Sequence, residues 1–355
     1  MKDSNFNQKK AELFSESLVD ILNKSAIAIA LSIGHRCGLF AAMAELPAST
    51  SQQIADKAGL NERYVREWLG TMVTGRVVNY FPDTLTYQLP EEHAAFLTDG
   101  GEFNLASSMQ FIPIMGQVED KLVECFKHGG GVPYSEYPRF HEVMAGESDQ
   151  TTVAALESHI IPLVPGLREK LEGGIDVLDV GCGSGRAMIT LAAKFPNSRF
   201  AGYDFSEETI SRANREAKAL GLTNIRFEVR DAAAIGETKN YDLITSFDSI
   251  HDQASPAGML ASISQALRSD GVYLIQDIAG SSHVENNLEH PVGPFVYTIS
   301  LTHCMTVSLA YGGEGLGAMW GEEKAVEMLN EAGFKKVSKH KLEHDFMNTY
   351  YVAMK

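Results

Sequence analysis

Residues 177–185 read Val-Leu-Asp-Val-Gly-Cys-Gly-Ser-Gly, so an apolar strand carrying Asp179 runs directly into Gly181, Gly183 and Gly185. Glycines have no Cβ, which lets the backbone turn sharply at a strand end and a ligand approach the main chain closely. Two further acids follow at the ends of the next two strand patterns, Asp204 and Asp231. Asp204 stands 19 residues beyond Gly185, the position from which a carboxylate accepts hydrogen bonds from a ribose diol. Together these residues describe a nucleoside pocket. A nicotinamide fingerprint needs a glycine where Arg186 stands. Glycines serving only a tight turn would leave three acids at successive strand ends unexplained.

A second concentration of reactive side chains lies in residues 281–321, which hold His283, His290, His303, Cys304, Met305, Tyr311 and Trp320 among several glycines. Such a segment beyond the fifth strand is suited to choosing a small-molecule acceptor, with His303, Met305 and Trp320 as its contacts. Plain packing of His303, Cys304 and Met305 between helices is the competing reading. The His and Cys separations fit no standard ligand spacing, so no metal site is expected. Upstream, Tyr134, Tyr137, Phe140, His141 and Met144 recur at a spacing that suits either a pocket wall or ordinary core, and Tyr134 is taken as an acceptor contact.

The elements that must position these groups follow from periodicity. Strand patterns at 175–180, 199–204, 225–230, 241–247 and 271–278 alternate with helical ones, which implies a parallel, doubly wound sheet with its ligand site at the strand carboxyl ends. Two strand patterns, 335–342 and 346–354, predict a terminal antiparallel hairpin. The N-terminal part begins with a long amphipathic helix over 9–34. Helices over 52–58 and 62–74 and a strand pair at 77–81 and 86–89 then form a helix-turn-helix with a wing. The second of these helices offers Arg63 and Arg66 against Glu62 and Glu67, few cations for a groove reader, so nucleic-acid binding is not expected. The domains are placed at 1–165, a helical dimerisation and lid domain, and 166–355.

The chain has 355 residues and a formal net charge of -16, a balance that argues against gripping phosphate backbones. No uninterrupted apolar stretch of membrane-spanning length is read from the sequence, and the N-terminus lacks a signal-peptide pattern. Cys37, Cys125, Cys182 and Cys304 have no paired spacing. A soluble, cytoplasmic protein with reduced thiols is the expectation.

The glycine loop and its acids resemble the S-adenosylmethionine (SAM) pocket of class I methyltransferases, and the domain order resembles the winged-helix small-molecule methyltransferases, the plant-type O-methyltransferases and their bacterial relatives. The resemblance implies an α/β fold: a Rossmann-like class I methyltransferase sheet with a terminal antiparallel hairpin, preceded by a mainly helical winged-helix domain. It implies SAM as cofactor, held by Asp179 near the ammonium, Gly181, Gly183 and Gly185 along the tail and ribose, and Asp204 on the diol. Asp231 and Ala232 would meet the adenine, flanked by Phe205 and Phe247. It also implies a homodimer formed through the N-terminal helices. In plant-type members a His-Asp pair after the fourth strand supplies the general base. Here Ser249-Ile250-His251-Asp252-Gln253 falls at that point, which carries the base role to His251 and leaves Asp252 to orient the imidazole or cap the next helix. An imidazole suits that task because a hydroxyl nucleophile is weak until its proton leaves. The acidic partner of the histidine is not placed. Transfer to sulfur or nitrogen without a base, and a SAM-responsive DNA-binding regulator, are the alternatives.

Overall fold

The N-terminal periodicity folds as one helix, α1 (Gln8–Arg36), in a computed structural model that describes residues 6–99 and 103–355. The chain divides into two compact units, 1–116 and 117–355.

In the first unit, α1 is followed by α2 (Leu39–Ala44), α3 (Ser51–Ala58) and α4 (Glu62–Thr74). Thr50 caps α3: its side chain accepts from Gln53 N while the Gln53 side chain returns to the Thr50 backbone, a capping box that fixes where the helix begins. Asn61 caps α4 with its side chain alone, which accepts from Arg63 N. Strands β1 (Asn79–Phe81) and β2 (Thr86–Gln88) form the antiparallel wing. Ile54, Val65, Trp68, Leu69 and Met72 fill the core, and Trp68 Nε1 donates to Ala30 O at 2.8 Å. On α4, Arg63 pairs with Glu67 at 2.5 Å and Arg66 with Glu62 at 3.4 Å, so both cations are engaged along their own helix.

Among the described residues, α1 is long and apolar enough over an 18-residue window to cross a membrane by length and composition alone. The Asp20–Lys24 ion pair interrupts that window, so no uninterrupted apolar stretch spans it. Within the first unit α1 buries only Ala30, Ser32 and Gly34, while Leu13, Phe14, Leu18, Val19, Ile21 and Leu22 stand exposed.

The second unit is a seven-stranded sheet of β3 (Asp176–Val180), β4 (Arg199–Asp204), β5 (Ile225–Val229), β6 (Tyr241–Phe247), β7 (Leu267–Ile278), β8 (Lys336–Leu342) and β9 (Asp345–Met354). Its order is β5-β4-β3-β6-β7-β9-β8. The first five strands run parallel and β9 lies antiparallel between β7 and β8, as the terminal hairpin pattern predicts. The period of two sends Val177, Phe200, Leu243 and Leu274 to one face and Leu178, Ala201, Ile244 and Tyr273 to the other, so helices cover both sides. Strand order reverses between β3 and β6, and that switch point opens a crevice at the carboxyl ends.

Residues 117–165, assigned from the sequence to the N-terminal domain, pack instead with the sheet. Ala155, Leu156, Ile160 and Ile161 share a core with Val177 and Leu191. Thr152 Oγ1 donates to Gln276 Oε1 on β7 at 2.8 Å. The unit boundary therefore lies at 116/117 rather than at 165.

Candidate active site

The loop after β3 turns through three left-handed glycines, with φ of +76° at Gly181, +52° at Gly183 and +74° at Gly185. At Gly181 a Cβ would lie 2.4 Å from Ser249 Cβ, so the loop sits against the end of β6 in a way only glycine allows. The walls of the cavity above it include Asp179, Gly181, Gly183, Asp204, Phe205 and Phe247. Six of the predicted donor residues therefore share one cavity. Gly185 lies beneath, where a Cβ would meet the Phe227 ring at 2.4 Å, and it shapes the turn rather than the wall.

The two acids in the cavity are held differently. Asp204 accepts from Gly183 N and Ser206 N, each at 2.9 Å, which ties the glycine loop to the end of β4. Burial still holds its carboxyl above the usual range. Asp179 is buried, accepts from Thr245 Oγ1 at 2.7 Å, and is pushed up to about 7 by desolvation, helped by the nearby Asp204 charge.

Asp231 and Ala232, expected at the adenine, are not among the residues that line the cavity. Asp231 is exposed and its Oδ1 accepts from Ala233 N at 2.8 Å, capping a short 3₁₀ turn. Ala232 packs in the core with Ile235 and Met259.

His251 is buried, and its Nδ1 lies 2.7 Å from Asp277 Oδ1. Burial by itself would lower the imidazole's pKa, but the Asp277 carboxylate and the adjacent Cys304 outweigh it and hold the ring well above an ordinary histidine. The same Asp277 oxygen accepts from Trp320 Nε1 at 3.1 Å and from Ile278 N at 2.8 Å. The acidic partner that sequence reading left unplaced is thus Asp277, at the carboxyl end of β7. Its position at the fifth strand end was the available signal.

Asp252 takes neither of its expected roles. It accepts from the Tyr134 hydroxyl at 2.7 Å and faces the cavity, while Ser255 occupies the N-cap of the next helix, Pro256–Ala266. Sequence analysis also passed over Asp248, a cavity residue with φ +49° whose Oδ2 accepts from Gln276 Nε2 at 3.1 Å. Desolvation, with Asp277 nearby, pushes it to about 8.

Of the acceptor residues, Tyr134 lines the cavity. Trp320 is in the core and serves Asp277. Met305 begins the helix Met305–Ala310 outside the cavity wall. His303 is buried in a cluster of aromatic rings. Among the described residues, no three His, Cys, Asp or Glu side chains converge as metal ligands.

Comparison with known proteins agrees with this geometry. Residues 25–99 match the family described as "Rv2258c-like winged HTH domain" and residues 171–333 the family described as "Methyltransferase domain". A solved Nostoc punctiforme structure, described as a candidate O-methyltransferase, superposes with a TM-score of 0.73 at 21% identity, covering 96% of this chain and 98% of that one. Human N-acetylserotonin methyltransferase in complex with SAM superposes at 0.70 with 15% identity, covering 99% of each chain. In sequence, (S)-coclaurine N-methyltransferase of Papaver somniferum is 27% identical over 111 residues, 31% of this chain and 32% of that protein. The chain spans 15% and 32% of the lengths of the curated relatives it first matches. The chain therefore carries a winged HTH domain over residues 25–99 and a methyltransferase domain over residues 171–333, in the fold of the class I methyltransferases.

Proposed function

We propose that the whole protein transfers the methyl group of SAM to an oxygen of a small-molecule acceptor, with His251 as general base. The observation that carries this reading is the buried His251–Asp277 pair, 2.7 Å apart; neither residue is in the cavity wall, but His251 directly precedes Asp252, which is. The cavity fits the donor: the glycine loop leaves room along the main chain, and Asp179, Asp204 and Asp248 offer carboxylates toward a molecule carrying a sulfonium, an ammonium and a ribose diol. Phe205 and Phe247 supply apolar faces for adenine. Bound there, SAM supplies a methyl group already activated for in-line displacement, so positioning carries most of the catalysis.

The protein's part is to hold the acceptor and remove its proton. Asp277 engages Nδ1 and fixes the imidazole plane. Nε2 is the ring nitrogen left to take the proton as the acceptor oxygen bonds to the methyl carbon and the carbon–sulfur bond breaks. A strong base suits a hydroxyl of high pKa. Transfer to nitrogen is the second reading, favoured by the match to a plant N-methyltransferase.

The exposed apolar face of α1 supports a homodimer formed through the first unit. The free cysteines, among the described residues, suit a reducing cytoplasm.

The test is a metabolite extract incubated with methyl-labelled SAM and followed by mass spectrometry. Label on an oxygen, lost in His251→Ala while SAM affinity is kept, supports the proposal. Label on nitrogen that survives the substitution supports the second reading. No labelled product from any extract removes both.

A further inference from the structure

Asp248 follows β6 in the wall of the donor cavity and adopts a left-handed φ of +49°. That conformation is uncommon outside Gly, Asn and Asp, and strain of this kind collects where a group must be aimed. Its Oδ2 accepts from Gln276 Nε2 at 3.1 Å, and Gln276 Oε1 in turn accepts from Thr152 Oγ1 at 2.8 Å. The second bond fixes which end of the Gln276 amide meets the carboxyl. The other oxygen of Asp248, Oδ1, is buried and has no hydrogen-bond partner. Leaving such an oxygen unmade is costly, because it forgoes the bonds it had in water.

The other cavity carboxyls are engaged. Asp179 accepts from Thr245 Oγ1, Asp204 from Gly183 N and Ser206 N, and Asp252 from the Tyr134 hydroxyl. Arg186, the one Arg or Lys among the lining residues, is paired with Asp149, and His141 is the one imidazole in the wall. The charged and titratable groups acting on Asp248 are Asp277 from β7, Asp345 from β9, and His251 and Asp252 from the loop beyond β6. Of these only His251 favours the anion. Burial and like charge therefore keep a proton on Asp248, whose pKa is pushed up to about 8. A cation placed against Oδ1 reverses that balance and drives the proton off.

SAM and the product it leaves, S-adenosylhomocysteine, share the ammonium, the carboxylate and the ribose, and differ by a methyl group and the positive charge on sulfur. Resting on the methyltransferase reading above, we infer that Asp248 reads that charge: its free Oδ1 faces the sulfonium side of the donor, so the site distinguishes fresh SAM from spent product. Binding of SAM sends the Asp248 proton to solvent and leaves the carboxylate against the sulfonium. Once the methyl group has gone the sulfur is neutral, Asp248 takes a proton back from solvent, and the product leaves a neutral group. The sign of the pH dependence follows. At low pH the empty cavity holds the proton and SAM must displace it, whereas above about pH 8 the carboxylate is already formed. Preference for SAM over product therefore strengthens as pH rises and levels off above that value.

The test is calorimetry on the purified full-length protein with SAM and with S-adenosylhomocysteine, in two buffers of different ionisation enthalpy, so that proton release is read directly. At about pH 7.5 SAM should release more protons than the product, by about half a proton or more, and the affinity ratio should move about tenfold toward SAM between about pH 6.5 and 8.5. Asp248→Asn keeps the shape of the side chain, tolerates the left-handed φ and cannot titrate. It should bind the product with near-native affinity, the readout that shows an intact fold, while losing both the excess proton release and the pH dependence of the ratio. Equal proton release for the two ligands in the native protein, or a ratio that does not move with pH, overturns the inference and leaves the donor site standing. An excess that survives in Asp248→Asn also overturns it and assigns the proton to another cavity carboxyl. Failure of the native protein to bind either ligand removes the donor reading and the inference with it.

Discussion

Replacing Asp277 with Asn tests the proposed base at its support. The carboxylate is fully buried, its Oδ1 accepts from His251 Nδ1, Trp320 Nε1 and Ile278 N, and its Oδ2 has no hydrogen-bond partner. Asparagine keeps an oxygen for those donors and places its amide where no bond is lost, so the geometry survives and only the charge goes. Two opposite charges centred about 4 Å apart attract by about 4 kcal/mol at an effective dielectric of 20. In the native protein that attraction, with Cys304, outweighs the burial that would otherwise lower the imidazole's pKa. Without it burial wins, and the His251 pKa falls.

Two consequences have definite signs. The neutral base becomes available at lower pH, so the acid limb of kcat/KM moves down in pH. The plateau falls on the order of 10²- to 10⁴-fold as a weaker, unassisted base does the work. For stability, a histidine whose folded pKa is raised contributes stabilisation that is fully present below its unfolded value of about 6.5 and lost as pH rises through the folded value. Asp277→Asn should therefore cost about 3–5 kcal/mol at pH 5 and much less at high pH. NMR titration of the His251 ring, denaturant melts across pH and a pH–rate profile measure all three. An unmoved imidazole titration with an unchanged plateau would refute the reasoning.

Gly181→Ala places a Cβ 2.4 Å from Ser249 Cβ at a left-handed φ, so it should cost about 1–3 kcal/mol of stability and weaken SAM binding, as read by thermal melts and calorimetry. Asp204→Ala should reduce SAM affinity by more than tenfold, since the carboxylate faces the cavity and also tethers Gly183; calorimetry showing intact affinity argues against the ribose assignment. Because burial raises the Asp204 pKa, the native protein should lose donor affinity on acidification earlier than an exposed aspartate would dictate. Leu18→Lys with Leu22→Lys on the exposed face of α1 should convert a dimer to monomers in light scattering, and an unchanged mass would place the dimer contact elsewhere. A gel-shift assay with duplex DNA should show no tight, salt-sensitive complex, as Arg63 and Arg66 are already paired on their own helix.

Much of the architecture was legible from residue order because it depends on local rules. Alternation of period two gave the strands of the sheet, and glycines followed by strand-end acids marked the donor cavity. What failed locally failed for a physical reason: the bonds of Asp231 and Asp252 are made by whichever partner the folded chain brings near. Asp231 turned back on its own loop, and Asp252 found Tyr134, 118 residues away.

The order of residues by itself determined the strands of the sheet, its terminal hairpin and the glycine loop, while the candidacy of His251 came from the resemblance to the winged-helix methyltransferases. Backbone conformation and apolar periodicity are set by near neighbours, and that is why these could be read. Only the tertiary structure decided that Asp277 supports His251, that residues 117–165 pack with the sheet, and that Asp248 keeps a buried oxygen without a partner in the cavity wall. Those outcomes depend on which distant segments the two sheet faces bring together, and burial, charge pairing and unmet hydrogen bonds exist only once they have met.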